Sequence, residues 1–91
     1  MKVLENSGYK LKIRNDSGET LLIAQRCYTE QGVSAYGRPF YKGMVWYVFG
    51  WCGGRKHPIS GMSPTMSSKK EVLNAIKAHP SYTVAAQELG L

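Results

Sequence analysis

Lys10, Lys12 and Arg14 recur at every second residue of Tyr9-Lys10-Leu11-Lys12-Ile13-Arg14, and a strand places residues two apart on one face. Like charges side by side repel, and a row of phosphates would relieve that cost. Arg26 and Tyr28, in the next apolar segment, are expected to share this face. Two further segments carry the same kind of chemistry. Residues 36–42 interleave Tyr36, Phe40 and Tyr41 with Arg38 and Lys42. Rings beside cations suit stacking and the holding of a charged backbone, although Phe40 and one tyrosine could equally plug the end of a core. Gly53-Gly54-Arg55-Lys56-His57 sets two glycine amides beside basic side chains, as a phosphate cradle or a plain tight turn would. The candidate anion-binding set is therefore Lys10, Lys12, Arg14, Arg26, Tyr28, Arg38, Tyr41, Lys42, Arg55 and Lys56.

Other chemistries find less support. The six carboxylates are scattered, with no pair poised for acid–base work, and neither Cys27 nor Cys52 has an activating histidine nearby in sequence. No two of Cys27, Cys52, His57 and His79 have zinc-ligand spacing, so neither a metal nor another cofactor is expected. The cysteines read as buried free thiols of a reducing compartment. One catalytic arrangement survives, a metal-independent ribonuclease site built on His57 beside Arg55 and Lys56. His79 reads as a packing or capping residue. No catalytic residue is assigned, and a non-enzymatic role is expected.

Twelve Lys plus Arg against six Asp plus Glu give a formal charge of +6, which attracts polyanions and weakens with salt. Ninety-one residues suit one domain, and 43% hydrophobic residues suffice for a core. The longest apolar run, Met44 to Trp51, is strand length and far short of a membrane span, so no membrane partner is expected. MKVLENSGYKLKIR lacks the features of a secretory signal, and a cytoplasmic location is the default expectation.

These residues must be positioned by a sheet followed by helices. Tyr9 to Arg14 alternates with period two, Asn15-Asp16-Ser17-Gly18 has turn chemistry, and Glu19 to Tyr28 reads as the return strand. With Asn15 opposite Glu19, Ile13 faces Leu21, Leu11 faces Ile23 and Tyr9 faces Gln25. That register puts Tyr9, Leu11, Ile13, Leu21, Ile23 and Cys27 on the core side. Lys10, Lys12, Arg14, Thr20, Leu22, Ala24, Arg26 and Tyr28 fall on the other, with no carboxylate among them. Residues 31–43 read as a loop. Met44 to Cys52 reads as a central strand covered to some degree on both faces, and Arg55 to Ile59 as the start of a short fourth strand that Pro58 makes an edge strand or no strand at all. Ser68 and Glu71 match a capping box. They open a helix whose stripe of Val72, Ala75, Ile76 and His79 packs inward while Lys69, Lys70, Asn74 and Lys77 face water. Pro80 ends it, and residues 81–90 read as a second short helix stopped by Gly90, or less well as a strand. The expected fold is α+β: an antiparallel sheet of three to four strands at about 9–59, packed against a C-terminal helical part at about 68–90.

Short strands ending in a Gly-Arg-Lys turn, followed by Thr65-Met66-Ser67-Ser68-Lys69-Lys70-Glu71-Val72-Leu73-Asn74-Ala75-Ile76, resemble a group of DNA-binding domains. These are the three-stranded-sheet-plus-helix domains of tyrosine integrases and plant ethylene-response factors. The resemblance implies a sheet laid in the major groove, with Lys10, Lys12, Arg14, Arg26, Arg55 and Lys56 as contacts. The chain departs from that pattern in the length of the 31–43 loop and in Val72, where the second residue of a Glu-Ala pair would stand. Two function classes follow: a nucleic-acid-binding domain, or a small inhibitor or adaptor of phage or mobile-element type that docks on an acidic protein surface. The second would use Tyr36, Phe40, Tyr41 and Trp46 as anchors. The residues do not specify an oligomeric state.

Overall fold

The computed structural model describes residues 1–29 and 43–91. Its elements run β1 (Val3–Asn6), β2 (Lys10–Arg14), β3 (Leu21–Thr29), β4 (Gly43–Cys52), β5 (Arg55–His57), β6 (Thr65–Met66), α1 (Lys69–Ala78) and α2 (Thr83–Glu88). All strands belong to one antiparallel sheet in the order β1-β2-β3-β4-β5, and β6 also pairs with β4. The α+β class and both C-terminal helices are as expected, but β1 and β6 add two strands to the anticipated sheet. The middle of the sheet is the long β3–β4 pairing, from Leu21 opposite Trp51 to Thr29 opposite Gly43.

The two helices cover one face only. Leu11, Ile13, Leu22, Ala24, Trp46 and Val48 project from that face and pack with Val72, Ile76, Tyr82, Ala85 and Ala86. Leu11, Ile13, Leu22, Val72 and Ile76 are completely buried, and each such side chain contributes about 1.5–3 kcal/mol by leaving water. Of the predicted α1 stripe, Val72 and Ile76 are buried, with Leu73 packed beside them, while Ala75 and His79 are half-buried and line a surface hollow. Ser68 accepts from the Glu71 amide at 3.3 Å, while the Glu71 carboxylate reaches one residue further back than a standard box, to the Ser67 amide at 2.9 Å. Lys69 is half-buried and engaged rather than freely solvated. Its ammonium donates to Asn6 Oδ1 at 2.6 Å and to the Ser7 carbonyl at 2.8 Å, which ties the β1–β2 turn to the start of α1.

The β2–β3 register differs from the sequence expectation by one residue: Ile13 faces Leu22, Leu11 faces Ala24, Lys12 faces Ile23 and Lys10 faces Gln25. The turn is longer than Asn15-to-Glu19 pairing would allow, because the Asn15 amide bonds the Thr20 carbonyl at 2.9 Å and the Asn15 side chain accepts from the Thr20 amide at 3.2 Å. The extra residue frees Asp16 for a different task. Tyr82, the N-cap of α2, makes no capping side-chain bond, and Asp16 supplies it instead. Asp16 Oδ1 accepts from the Val84 amide at 3.0 Å and Oδ2 from the Thr83 hydroxyl at 2.5 Å. These bonds favour the charged form and lower the Asp16 pKa from its ordinary 3.8.

At the other end of α2, Gly90 at φ 79° closes a Schellman turn, with the Leu91 amide on the Ala86 carbonyl and the Gly90 amide on that of Gln87. Glu88 there accepts from the Lys2 and Val3 amides at 2.8 and 3.1 Å and thereby holds the start of β1. Its pKa is lowered by the same bonds.

Candidate functional site

The corrected register decides which side chains meet on the sheet face that the helices leave open. Alternation places Lys10, Lys12 and Arg14 of β2 there, beside Gln25, Ile23 and Leu21 of β3. The same ladder adds Tyr47, Phe49 and Trp51 of β4, opposite Gln25, Ile23 and Leu21, and then Lys56 of β5, opposite Trp51. The surface is therefore a stripe of apolar and aromatic side chains bordered by cations. The expected face shared Lys10, Lys12 and Arg14 but carried Thr20, Leu22, Ala24, Arg26 and Tyr28 of the return strand in place of Leu21, Ile23 and Gln25. Tyr47 is 38% and Trp51 40% exposed, whereas Trp46 on the opposite side of the same strand is 4% exposed. A shallow groove of about 270 Å³ runs between Lys10 and Lys12 on one side and Phe49 and Trp51 on the other, floored by Leu21, Ile23 and Gln25.

Each candidate can now be placed. Lys10, Lys12, Arg14 and Lys56 share the open face. The Lys56 ammonium sits 4.4 Å from the centre of the Phe49 ring, a cation–π contact that holds it over the stripe. Arg14 also donates to the Gly18 carbonyl at 3.3 Å. Arg26 does not belong to this cluster: it lies opposite Trp46, and its side chain alternates to the other face. Arg55, opposite Cys52, likewise alternates away from Lys56. Tyr28 pairs with Met44 in the ladder, and Arg38, Tyr41 and Lys42, like Tyr36 and Phe40, lie outside the described residues. The expected absence of carboxylates on the cationic face is also corrected, since Glu5 of β1 stands opposite Lys12.

A strand apolar at nearly every position reads as covered to some degree on both faces, and the two faces differ: Trp46, Val48 and Gly50 are buried on the helix side, while Phe49 is half-buried and Tyr47 and Trp51 are exposed on the other. Composition carried a signal: the alternate positions Tyr47, Phe49 and Trp51 are all aromatic, and two of them have a polar edge that tolerates water. Trp46, proposed as an exposed anchor, is a core residue, and Tyr47 and Trp51 are the exposed rings of the strand.

Gly53 and Gly54 form a two-residue hairpin turn with both φ positive, at 61° and 74°, as a type I′ turn requires. It sends β5 back along β4 and brings Lys56 over the stripe. His57 turns to the helix side, where its ring lies against Gly50; a Cβ at Gly50 would stand 2.5 Å from His57 Cε1. His57 and Lys56 thus face opposite sides of the sheet, and of the two basic neighbours considered with His57 for a ribonuclease only Arg55 alternates to its side. His79 has both ring nitrogens engaged, Nε2 with the Ser60 carbonyl at 2.9 Å and Nδ1 accepting from the Ser81 amide at 3.2 Å. It borders a larger hollow, about 530 Å³, in which no cationic residue takes part. Both cysteines are free thiols, as expected, but Cys52 is exposed and Cys27 half-buried where burial was expected.

Among the described residues, no cluster of three or more His, Cys, Asp or Glu side chains could hold a metal ion. No helix among them is long and apolar enough to cross a membrane. Of the described carboxylates, Asp16, Glu71 and Glu88 are engaged with backbone amides at helix ends and at β1. Cations also occur on α1, where Lys70 and Lys77 are exposed. The open face is set apart by having cations, exposed rings and a groove together. Such a surface can hold a chain of negative charges while presenting flat apolar rings to whatever the charges are attached to. No protein-family model matches the chain, and no curated protein or solved structure matches it.

Proposed function

We propose that this chain is a non-enzymatic nucleic-acid-binding protein that holds its ligand across the open face of β2–β5. The observation that carries the reading is the groove bordered by Lys10 and Lys12 and by the Phe49 and Trp51 rings, with Lys56 poised over Phe49. Phosphates supply most of the affinity through the lysines, and the apolar stripe takes the less hydrated parts of the nucleotides. The aromatic–basic segment 36–42 joins the reading on its sequence, with Arg38, Tyr41 and Lys42 as further contacts. An electrophoretic shift with DNA and RNA over a salt series tests it. Binding is expected at low salt and should fall steeply towards physiological salt, and no shift with any nucleic acid at low salt ends the reading.

One observation favours a second reading, an inhibitor or adaptor docked on an acidic protein. Exposed Tyr47 and Trp51 beside half-buried Leu21 and Ile23 are the residue types that anchor protein interfaces. A stoichiometric protein partner that survives nuclease treatment, with no nucleic acid bound, would favour this reading.

A further inference from the structure

We infer that the open face takes single-stranded nucleic acid, with unstacked bases laid on the β4 rings; the inference rests on the function proposed above and narrows its substrate class. Tyr47, Phe49 and Trp51 occupy alternate positions of one strand, so their attachment points repeat about every 6.6 Å. Nucleotides within a stacked strand repeat at about 3.4 Å. Rings spaced at twice the stacked rise match a strand whose bases have separated, one base to a ring. A duplex keeps its base faces inside and offers this surface only phosphates and groove edges. Exposed rings would then gain nothing from it.

The cations stand where an extended backbone would need them. Lys56 lies one strand from the rings, about 4.8 Å away, and Lys10 and Lys12 lie two strands away on the other side, about 10 Å. A backbone can follow either border while its bases reach the stripe between them. Gln25, in the floor of the groove and opposite Tyr47, presents an amide that can both donate to and accept from a base edge. Tyr47 and Trp51 are open as they stand, and a base takes the Phe49 ring between them when the Lys56 ammonium moves from that ring to a phosphate. Glu5, opposite Lys12, is the carboxylate that the register sets at the margin of this face.

The test uses the full chain and labelled oligothymidylate and oligouridylate of about 12 nucleotides, within the span such surfaces cover, with a duplex of equal length. The single strands are expected to bind at least about tenfold more tightly than the duplex at the same salt, because only they can stack. Trp51→Ala is expected to weaken single-strand binding by about five- to 150-fold, the range that loss of one stacking ring produces. Trp51→Phe keeps a ring and should retain most of the affinity. It should also abolish the quenching of tryptophan fluorescence on binding, because the remaining Trp46 is 4% exposed. Tyr47→Ala gives a second ring deletion should Trp51→Ala not fold. A duplex bound as tightly as the single strands would overturn the inference and leave the proposed function standing. So would a folded ring deletion with unchanged single-strand affinity. Failure of every nucleic acid to bind at low salt overturns both.

Discussion

Lys12→Glu and Arg26→Glu each change the formal charge from +6 to +4, yet the structure places these side chains on opposite faces of one sheet. Charge alone predicts equal effects, and the register predicts unequal ones. Among the described residues the open face carries four cations, Lys10, Lys12, Arg14 and Lys56. If each neutralises one phosphate, log K against log salt has a slope of about −2.8 for a single strand and about −3.6 for a duplex. Between 50 and 200 mM salt that amounts to about 50- to 150-fold. Lys12→Glu removes one contact and should flatten the slope by about 0.7 to 0.9. Arg26→Glu should leave the slope unchanged. The two faces of a sheet with their side chains are separated by about 10 Å, close to the screening length at 0.1 M salt, so only a small loss of affinity is expected from its long-range field. Fluorescence anisotropy with a labelled oligonucleotide at five or six salt concentrations measures both quantities. Equal flattening by the two variants would refute the assignment of the site to the open face.

Further outcomes follow from individual contacts. Glu5→Gln removes the carboxylate opposite Lys12 and should tighten nucleic-acid binding a few-fold at low salt in the same anisotropy assay. Gly50→Ala forces the His57 ring out of its place, since the new Cβ would stand 2.5 Å from it, and should cost about 1–3 kcal/mol in urea unfolding. Adding His57→Ala to that variant should recover most of the loss. Asp16, Glu71 and Glu88 have lowered pKa values in the fold, so the unfolded chain binds more protons as pH falls through their ordinary values of 3.8 and 4.5. Their contribution is therefore present above about pH 4.5 and lost progressively below it. The melting temperature should hold between about pH 5 and 7, fall beneath that range, and fall less steeply in Asp16→Ala, which starts lower.

The elements themselves were readable where a local rule decides them. Period-two alternation located β2, the Ser68–Glu71 pairing located the start of α1, Pro80 its end and Gly90 the stop of α2. The face assignment was not readable in the same way. β3 begins Leu21-Leu22-Ile23-Ala24, apolar on both sides, so either register buries two hydrophobic residues and the pattern cannot choose between them. What chooses is the length of the β2–β3 turn, which Asn15 closes on Thr20 and which Asp16 anchors to a helix 67 residues further along the chain. A long-range contact of that kind leaves no mark in a local window. The same slip moved Arg26, Leu22 and Ala24 off the cluster and brought Leu21, Ile23 and Gln25 onto it, beside the β4 rings. β1 was missed because Val3-Leu4-Glu5-Asn6 is short and half polar, and its pairing is secured from outside by Glu88 and Lys69.

The placement of the carboxylates connects this folding logic to the surface. Asp16 fastens the β2–β3 turn to α2, Glu88 fastens β1 to the end of α2, and Glu71 closes the start of α1. Each lies at an element end and is committed to backbone amides away from the groove, whereas Glu5 stands opposite Lys12 at its margin. The contacts that fix the register thus also keep three carboxylates off the open face. That coupling has a consequence: a substitution that frees Asp16 should loosen the turn, let β3 sample the alternative pairing, and scatter the lysines and rings between both faces. Asp16→Ala should therefore weaken nucleic-acid binding even though it removes a negative charge, the reverse of the tightening expected from Glu5→Gln. Tighter binding by both variants would mean that Asp16 acts only through its charge, and that the turn does not depend on it.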